Sequence, residues 1–449
     1  MTNALHTALL QRIDQPLARY AELDRYYVGE QPLAFLAPEA RKALGDRFGR
    51  IASNLCRLSV TSIAERLRVT GFDGVDVWSD WLRNDLDQLA PVSHREALLL
   101  GANYVLVWAD AQGRPQVSIE SAHQMSVQVD PGTRQIVAAC KRWTTETTTE
   151  ATIFEADTIT RLRANNVGAT TAGFETVEVL DNPLGVVPVV RLANTDRILG
   201  DPVSEIADLI PLVDALNKTL ADMMVGSEFY ARPRRWATGV ELVEEPVLDD
   251  EGNPVLDDDG DPVVDEVNPY PETNRMMIAE EVQAKFGQLE ASGLTAYESS
   301  VKVLLEQIMA VSALPAHYVG ITSANPASAD AMRAAEAALT ARAEAKQALF
   351  GRSWEQVARL IVAVRDGVDP AEVQARVQWA DPSTRSIAQE ADAVVKLHQA
   401  GLLPATYALK RLGYSDTEIT DIRTATRLEA MDSAGADVTS LLPSAEAPR

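Results

Sequence analysis

With 449 residues, 46% of them hydrophobic and 24% charged, the chain has the makeup of folded protein and the length for about three domains. Its formal charge of −24 argues against a protein that wraps nucleic acid tightly, because that affinity comes largely from lysine and arginine on phosphates. No apolar run approaches the roughly 18–20 residues that cross a bilayer, no basic region precedes a long apolar core in MTNALHTALLQRID, and the two cysteines, Cys56 and Cys140, make neither a disulfide framework nor a four-cysteine zinc site, as expected of a product of a reducing cytoplasm.

Residues 3–28 read as a helix with Leu10, Ile13, Leu17, Tyr20, Leu23 and Tyr27 on one face, interrupted at Pro16. A second helical stretch runs from about Arg50 to Leu67, and Cys56 within it reads as a plain buried thiol. From Asn103 to Ala193 the period shortens: YVLVWA, QVSIES, MSVQVD, QIVAAC, TIFEA, TVEVL and VVPVV are short, β-branched segments divided by turns such as Asp130-Pro131-Gly132. Asp201-Pro202 then predicts a helix start, and Ile206, Leu209, Ile210, Val213, Leu220 and Met224 form its stripe. A partner helix over Leu294–Ser312 presents Tyr297, Val301, Leu304, Leu305 and Ile308 and must stop near Pro315. The pair predicts a hairpin-like stalk with a knob at its tip.

The knob holds the charge asymmetry. Between Glu241 and Glu266, twelve residues are acidic and none is basic. Within it PVLDDEGN from Pro246, PVLDDDGD from Pro254 and PVVDE from Pro262 repeat with a period of eight, each a brief strand followed by an acidic turn. A calcium loop needs acids at its first, third and fifth positions, and Val247 or Val255 would occupy the first, so an unmetallated hairpin is the favoured reading. Asn325-Pro326 opens a long helix to about Asp366-Gly367, rich in alanine and bent at Gly351 if at all. Shorter helices follow, one over about Thr384–Ala400 and one from Ser415 with Glu418 in a capping box, and the tail from Ala434 to Arg449 has little to bury.

Motifs for chemistry are lacking: GxxxxGK[ST], GxGxxG, HExxH and GxSxG do not occur. His6, His94, His123, His317 and His398 have no ligand spacing, and His94 reads as a surface or capping residue. Asp257-Asp258-Asp259 lacks a second carboxylate motif and reads as a solvated turn rather than a metal site. We therefore expect no catalytic residues, no metal and no cofactor. Arg232, Arg234 and Arg235, just before Trp236, form the dense basic patch of the chain, suited either to charge pairing with the acidic repeat or to docking a partner.

Several strings, in a consistent order along nearly the whole chain, resemble the portal proteins of long-tailed phages: LDRYYVGEQPLAFLAPEA (23–40), NLCRLSVTSIAERLRVTGF (54–72), EALLLGANYVLVW (96–108), NPLGVVPVVRLAN (182–194), DALNKTLADMM (214–224), RPRRWATG (232–239) and NPASADAMRAAEAAL (325–339). The resemblance implies a mainly helical α+β portal fold. A wing would occupy 1–200, with its β-rich domain from about 95, and regain the chain in the long helix and following strand of 326–380. The stem would be 201–225 and 294–312, the clip 226–293 with the repeat 244–266 as an insertion, the crown 381–433, and 434–449 a disordered tail. The loop 313–325 would face a channel, with Ser312, Leu314, Pro315, His317, Tyr318, Thr322, Ser323 and Asn325 as candidate lining residues and Arg232, Arg234, Arg235 and Trp236 as candidates for docking. Implied partners are identical copies in a ring of about a dozen, double-stranded DNA, the terminase large subunit, major capsid and scaffolding proteins, and head-completion or adaptor proteins, in a virion assembled in host cytoplasm and without a membrane. Alternatives from other classes are a metal-dependent DNA-processing enzyme and a minor capsid protein that forms no ring.

Overall fold

The computed structural model describes residues 4–34, 52–231, 235–238, 243–247, 254–256, 262–267, 285–288, 295–321, 329–383, 387–414 and 416–439. In chain order come helices α1 (Ala4–Asp14), α2 (Leu17–Val28) and α3 (Leu55–Ala64), strand β1 (Val69–Asp73), and helices α4 (Trp78–Arg83) and α5 (Leu86–Leu100). Eight strands follow: β2 (Ala102–Ala109), β3 (Pro115–Ser121), β4 (Met125–Val129), β5 (Ile136–Thr144), β6 (Thr149–Glu155), β7 (Thr158–Ala164), β8 (Phe174–Asp181) and β9 (Val189–Ala193). Then come α6 (Ile210–Ala231), β10 (Arg235–Thr238), β11 (Val243–Pro246), β12 (Val264–Val267), β13 (Lys285–Gln288), α7 (Thr295–Ser312), α8 (Ala329–Asp366), β14 (Arg376–Trp379), α9 (Ile387–Gln399), α10 (Ala405–Arg411) and α11 (Asp416–Thr439).

The chain divides into two compact units, 1–15 with 60–203 and 313–449, and 16–59 with 204–312. In the first, β4 to β8 make a five-stranded antiparallel meander and β3-β2-β9 a three-stranded antiparallel sheet. Leu9, Leu10 and Ile13 of α1 close one face of the meander against Ala138, Cys140, Ile153, Leu162 and Phe174. The alternation of the strands places these side chains on one face, and the Ser126 hydroxyl fixes the helix by donating to the Leu9 carbonyl at 2.7 Å.

A second core lies where α8 crosses the β3-β2-β9 sheet. Trp354 and Trp81 meet edge to face at 5.0 Å between centroids, and His94 stacks on Phe350 at 5.7 Å. His94 is fully buried here, not at the surface as its sequence context predicts. It shares the apolar face of α5 with Ala90, Ala97 and Leu98, which decides its fate. Trp354 Nε1 donates to His94 Nε2 at 2.8 Å, and since an indole can only donate, that nitrogen bears no proton. The proton then sits on Nδ1, toward the Leu67 backbone but short of good hydrogen-bond geometry. Burial pushes the imidazole pKa down to about 3, with the Leu67 backbone opposing.

Gly351 does not bend α8, which runs unbroken past it. A Cβ there would lie 3.1 Å from Val377 Cγ1 and 3.3 Å from Trp379 Nε1, so glycine lets β14 approach the helix. Strand β14 pairs in turn with β1, a strand that follows the α3 helix directly. The carboxyl end of the chain also differs from expectation, because α11 continues through Ala434 and Ala436 to Thr439.

In the second unit, α6 and α7 pack together. Asp201-Pro202 does not open α6. The Val203 N–H donates to the Asn194 carbonyl at 2.9 Å and the Val203 carbonyl accepts from Asn194 Nδ2 at 2.7 Å, which commits that backbone to the end of β9. Turns at 205–209 intervene before the helix begins at Ile210. At the far end of the pair, β10 and β13 form an antiparallel ladder, and β11 and β12 form another beyond it. The eight-residue repeat closes on itself. Val255 N–H donates to the Val247 carbonyl, Val263 N–H to the Val255 carbonyl and Val247 N–H to the Val263 carbonyl, all at 2.8 Å. Each valine follows a proline, whose fixed φ supplies the extended backbone that this three-membered cycle requires.

Candidate functional site

The segment between α7 and α8 holds the candidate channel residues. Ser312 ends α7 fully buried, and its hydroxyl donates to the Ile308 carbonyl at 2.6 Å. Ala313 then takes a left-handed backbone at φ 58, turning the chain so that Leu314 and Pro315 are also buried. A short 3-10 turn over Ala316–Val319 follows, closed by Gly320 at φ 81. The stop at Pro315 has its expected cause, the missing N–H and fixed φ of proline.

His317 and Tyr318 are half-buried and held by side chains of other elements. His317 Nε2 lies 3.3 Å from Glu336 Oε1 on α8, while Arg66 Nη2, from the turn after α3, reaches Glu336 Oε2 at 2.9 Å and the Tyr318 hydroxyl at 3.2 Å. Glu336 is 8% exposed and Arg66 10% by side chain, so the pair stands largely outside water. The Arg66 carbonyl also accepts from Gln347 Nε2 at 3.1 Å, and that amide donates again to Ala380. Both carboxylate oxygens of Glu336 are engaged, an arrangement suited to a clamp rather than to a general base. Sequence reasoning missed Arg66 and Glu336. The available signal was Glu336 flanked on each side by a pair of alanines.

Thr322, Ser323 and Asn325 lie outside the described residues, as do Arg232 and Arg234. Arg235 and Trp236 belong to β10 and pair by backbone register with Gln288 and Gly287. The loop residues and the basic patch are therefore separate in sequence and in secondary structure, one at the start of α8 and the other at the end of α6.

Other titratable groups serve packing. The Tyr26 hydroxyl donates to both Asp214 oxygens at 2.8 and 2.9 Å, burial raises the Asp214 pKa, and burial pushes Cys56 and Cys140 up to about 12, so both thiols stay protonated and unreactive. Among the described residues, no group of three or more His, Cys, Asp or Glu side chains could hold a metal ion, and no helix is long and apolar enough to cross a membrane.

Comparison with known proteins gives a consistent result. The family described as "Phage portal protein, SPP1 Gp6-like" matches residues 7–431. The portal protein of Mycobacterium phage D29 is 31% identical over 391 residues, spanning 82% of this chain and 77% of the relative. That of Mycobacterium phage L5 is 29% identical over 393 residues with the same coverage. Among solved structures, a chain from the neck of the empty GTA particle is 14% identical with a TM-score of 0.48, covering 88% of this chain and 93% of its own.

Proposed function

Because the chain belongs to the SPP1 Gp6-like family of phage portal proteins, we propose that it assembles into a ring of about a dozen copies at one capsid vertex and conducts double-stranded DNA. The observation that supports the ring is the state of the α6–α7 pair. Both helices are rich in Leu, Val, Ile and Met, yet Val303 is 56% exposed, Met224 42% and Val311 38%. A helix pair with that much uncovered apolar surface needs neighbours, and a ring supplies them through a heterologous interface in which one face meets a different face of the next copy.

On this reading the wing is 1–200 with 326–380, the stem the helix pair, the clip 226–293 and the crown 381–433. The clip, with Arg232, Arg234, Arg235 and Trp236, docks first the terminase large subunit and later head-completion or adaptor proteins, and the wing meets the major capsid and scaffolding proteins. The chain acts as a structural conduit in the virion, with force supplied by a separate motor. Twelve copies at −24 each repel phosphate, over about 8 Å at physiological salt, and the segment SALPAHYVGITSAN carries no Lys, Arg, Asp or Glu. A duplex would therefore slide past without sticking. Electron microscopy of the purified protein tests the ring directly: a central hole is expected, and a compact monomer rejects the reading. Replacing both His317 and Ser323 with lysine should slow packaging, and an unchanged rate would count against the low-friction collar.

A further inference from the structure

We propose that neighbouring copies of this chain join through α11, the acidic face of one helix set against the basic face of the next. This inference rests on the ring reading and names a contact within it. At 3.6 residues per turn, Arg423 and Arg427 share one face of α11, while Asp421, Ala425, Leu428 and Glu429 share another, about 165° around the axis. All six residues are exposed. Arg423 and Arg427 are the two bases of the helix, and no acid stands three or four residues from either.

Other helices of the chain place their charges differently. Lys218 pairs with Asp222 in α6, Arg352 with Glu355 in α8 and Lys396 with Asp392 in α9, each about one turn apart. In α11 the signs are sorted by face instead. Like charges one turn apart, as at Arg423 and Arg427, destabilise a helix standing alone. Among the described residues, none of Arg423, Arg427, Asp421 and Glu429 makes an ion pair. Each face therefore gains by meeting the opposite sign on another molecule.

The surroundings of the arginines decide the partner. They border an open groove of about 790 Å³ that Val394 and Val395 of α9 and Ala408 and Leu409 of α10 also line, with no acid in its wall. Duplex DNA would bring phosphate to this groove but nothing apolar. Helices α9 to α11 moreover carry eight acids and five bases, a balance that repels phosphate. A second α11 brings both parts, since Leu428, 58% exposed, lies on the acidic face between Asp421 and Glu429. In a closed ring of a dozen, the directions from one copy to its two neighbours differ by about 150°, close to the separation of the two faces. Each helix can then present both at once. Charges at so exposed a contact contribute little affinity and chiefly fix which face meets which.

The test is a charge swap. Arg423→Glu/Arg427→Glu should keep the circular dichroism and melting temperature of the wild-type subunit and lose the ring by electron microscopy and sedimentation. Adding Asp421→Arg/Glu429→Arg makes the faces opposite again with their signs exchanged, and this quadruple variant should recover rings. Wild-type protein that forms no ring rejects the ring reading itself. Rings that survive Arg423→Glu/Arg427→Glu leave that reading standing and reject the α11 contact, as does a folded quadruple variant that stays apart. Intact variant rings that have lost the wild-type affinity for a short duplex in a gel-shift assay reject it too and assign the arginines to DNA. Should the glutamates alter subunit melting, Arg423→Gln/Arg427→Gln decides: its assembly should be weaker and less sensitive to salt, and wild-type assembly with wild-type salt dependence rejects the contact.

Discussion

Two loops, one uncharged and one carrying Asp196, Arg197 and Asp201, are held in opposite ways. Segment 313–321 turns inward: Leu314 and Pro315 are buried, and His317 and Tyr318 are tied by side chains to a charged pair on other elements. Loop 195–202 turns outward, tied only at its base by backbone bonds and one carboxamide, and leaves Ile198 and Leu199 in solvent. Both attach to the same helix, α8, through Glu336 in the first case and Lys346 in the second. The difference shows that one rigid helix can fix a loop's position either by burying it or by presenting it. The energetic consequences separate accordingly.

The sharpest break in the comparison is Glu336→Ala. Removing one member of a buried ion pair leaves an uncompensated charge and costs about 3–5 kcal/mol. Here it strands Arg66 and frees His317 together, so denaturant unfolding should show the loss and hydrogen exchange across 313–321 should rise. A loss below about 1 kcal/mol would mean that the clamp is solvated. Next comes acid. His94 has a folded pKa of about 3, below its ordinary value near 6.5, so the unfolded chain binds the extra proton between those limits. Its contribution is complete above pH 6.5 and falls as pH drops, by about 1.4 kcal/mol per unit at most. His94→Phe should flatten that part of the stability profile, and an unaltered slope would place the titration elsewhere. This sharpens the comparison, because Trp354 holds α8 itself in register. Asn194→Ala is expected to cost about 1–3 kcal/mol through the unsatisfied Val203 carbonyl and Lys346, with faster amide exchange confined to the base of 195–202.

How much of this was legible in the sequence follows the range of the interactions. The strands of the β-rich region announced themselves by β-branched runs and turn residues, and Pro16 divided α1 from α2 through its own lost donor. Asp201-Pro202 misled because its neighbour Val203 is claimed by Asn194, a residue on the other side of the loop. His94 misled because a lone polar residue looks solvent-facing until Trp354, 260 positions away, supplies its partner. Clamp residues Arg66 and Glu336 lie 270 positions apart, and neither carries a local signature of the other. Local propensity is written in neighbours, whereas buried polar pairing is written in topology.

The smallest effect falls on the outward loop and is the most discriminating. In Ile198→Thr/Leu199→Ser the folded subunit loses almost no buried apolar area, because the two side chains are nearly as exposed as in an unfolded chain. Transfer free energy scales with area removed from water, and surface substitutions ordinarily stay within about 0.5 kcal/mol. Stability of the isolated subunit should therefore match wild type in a denaturant titration at low concentration. A loss above about 1 kcal/mol would show that the two side chains pack within their own chain.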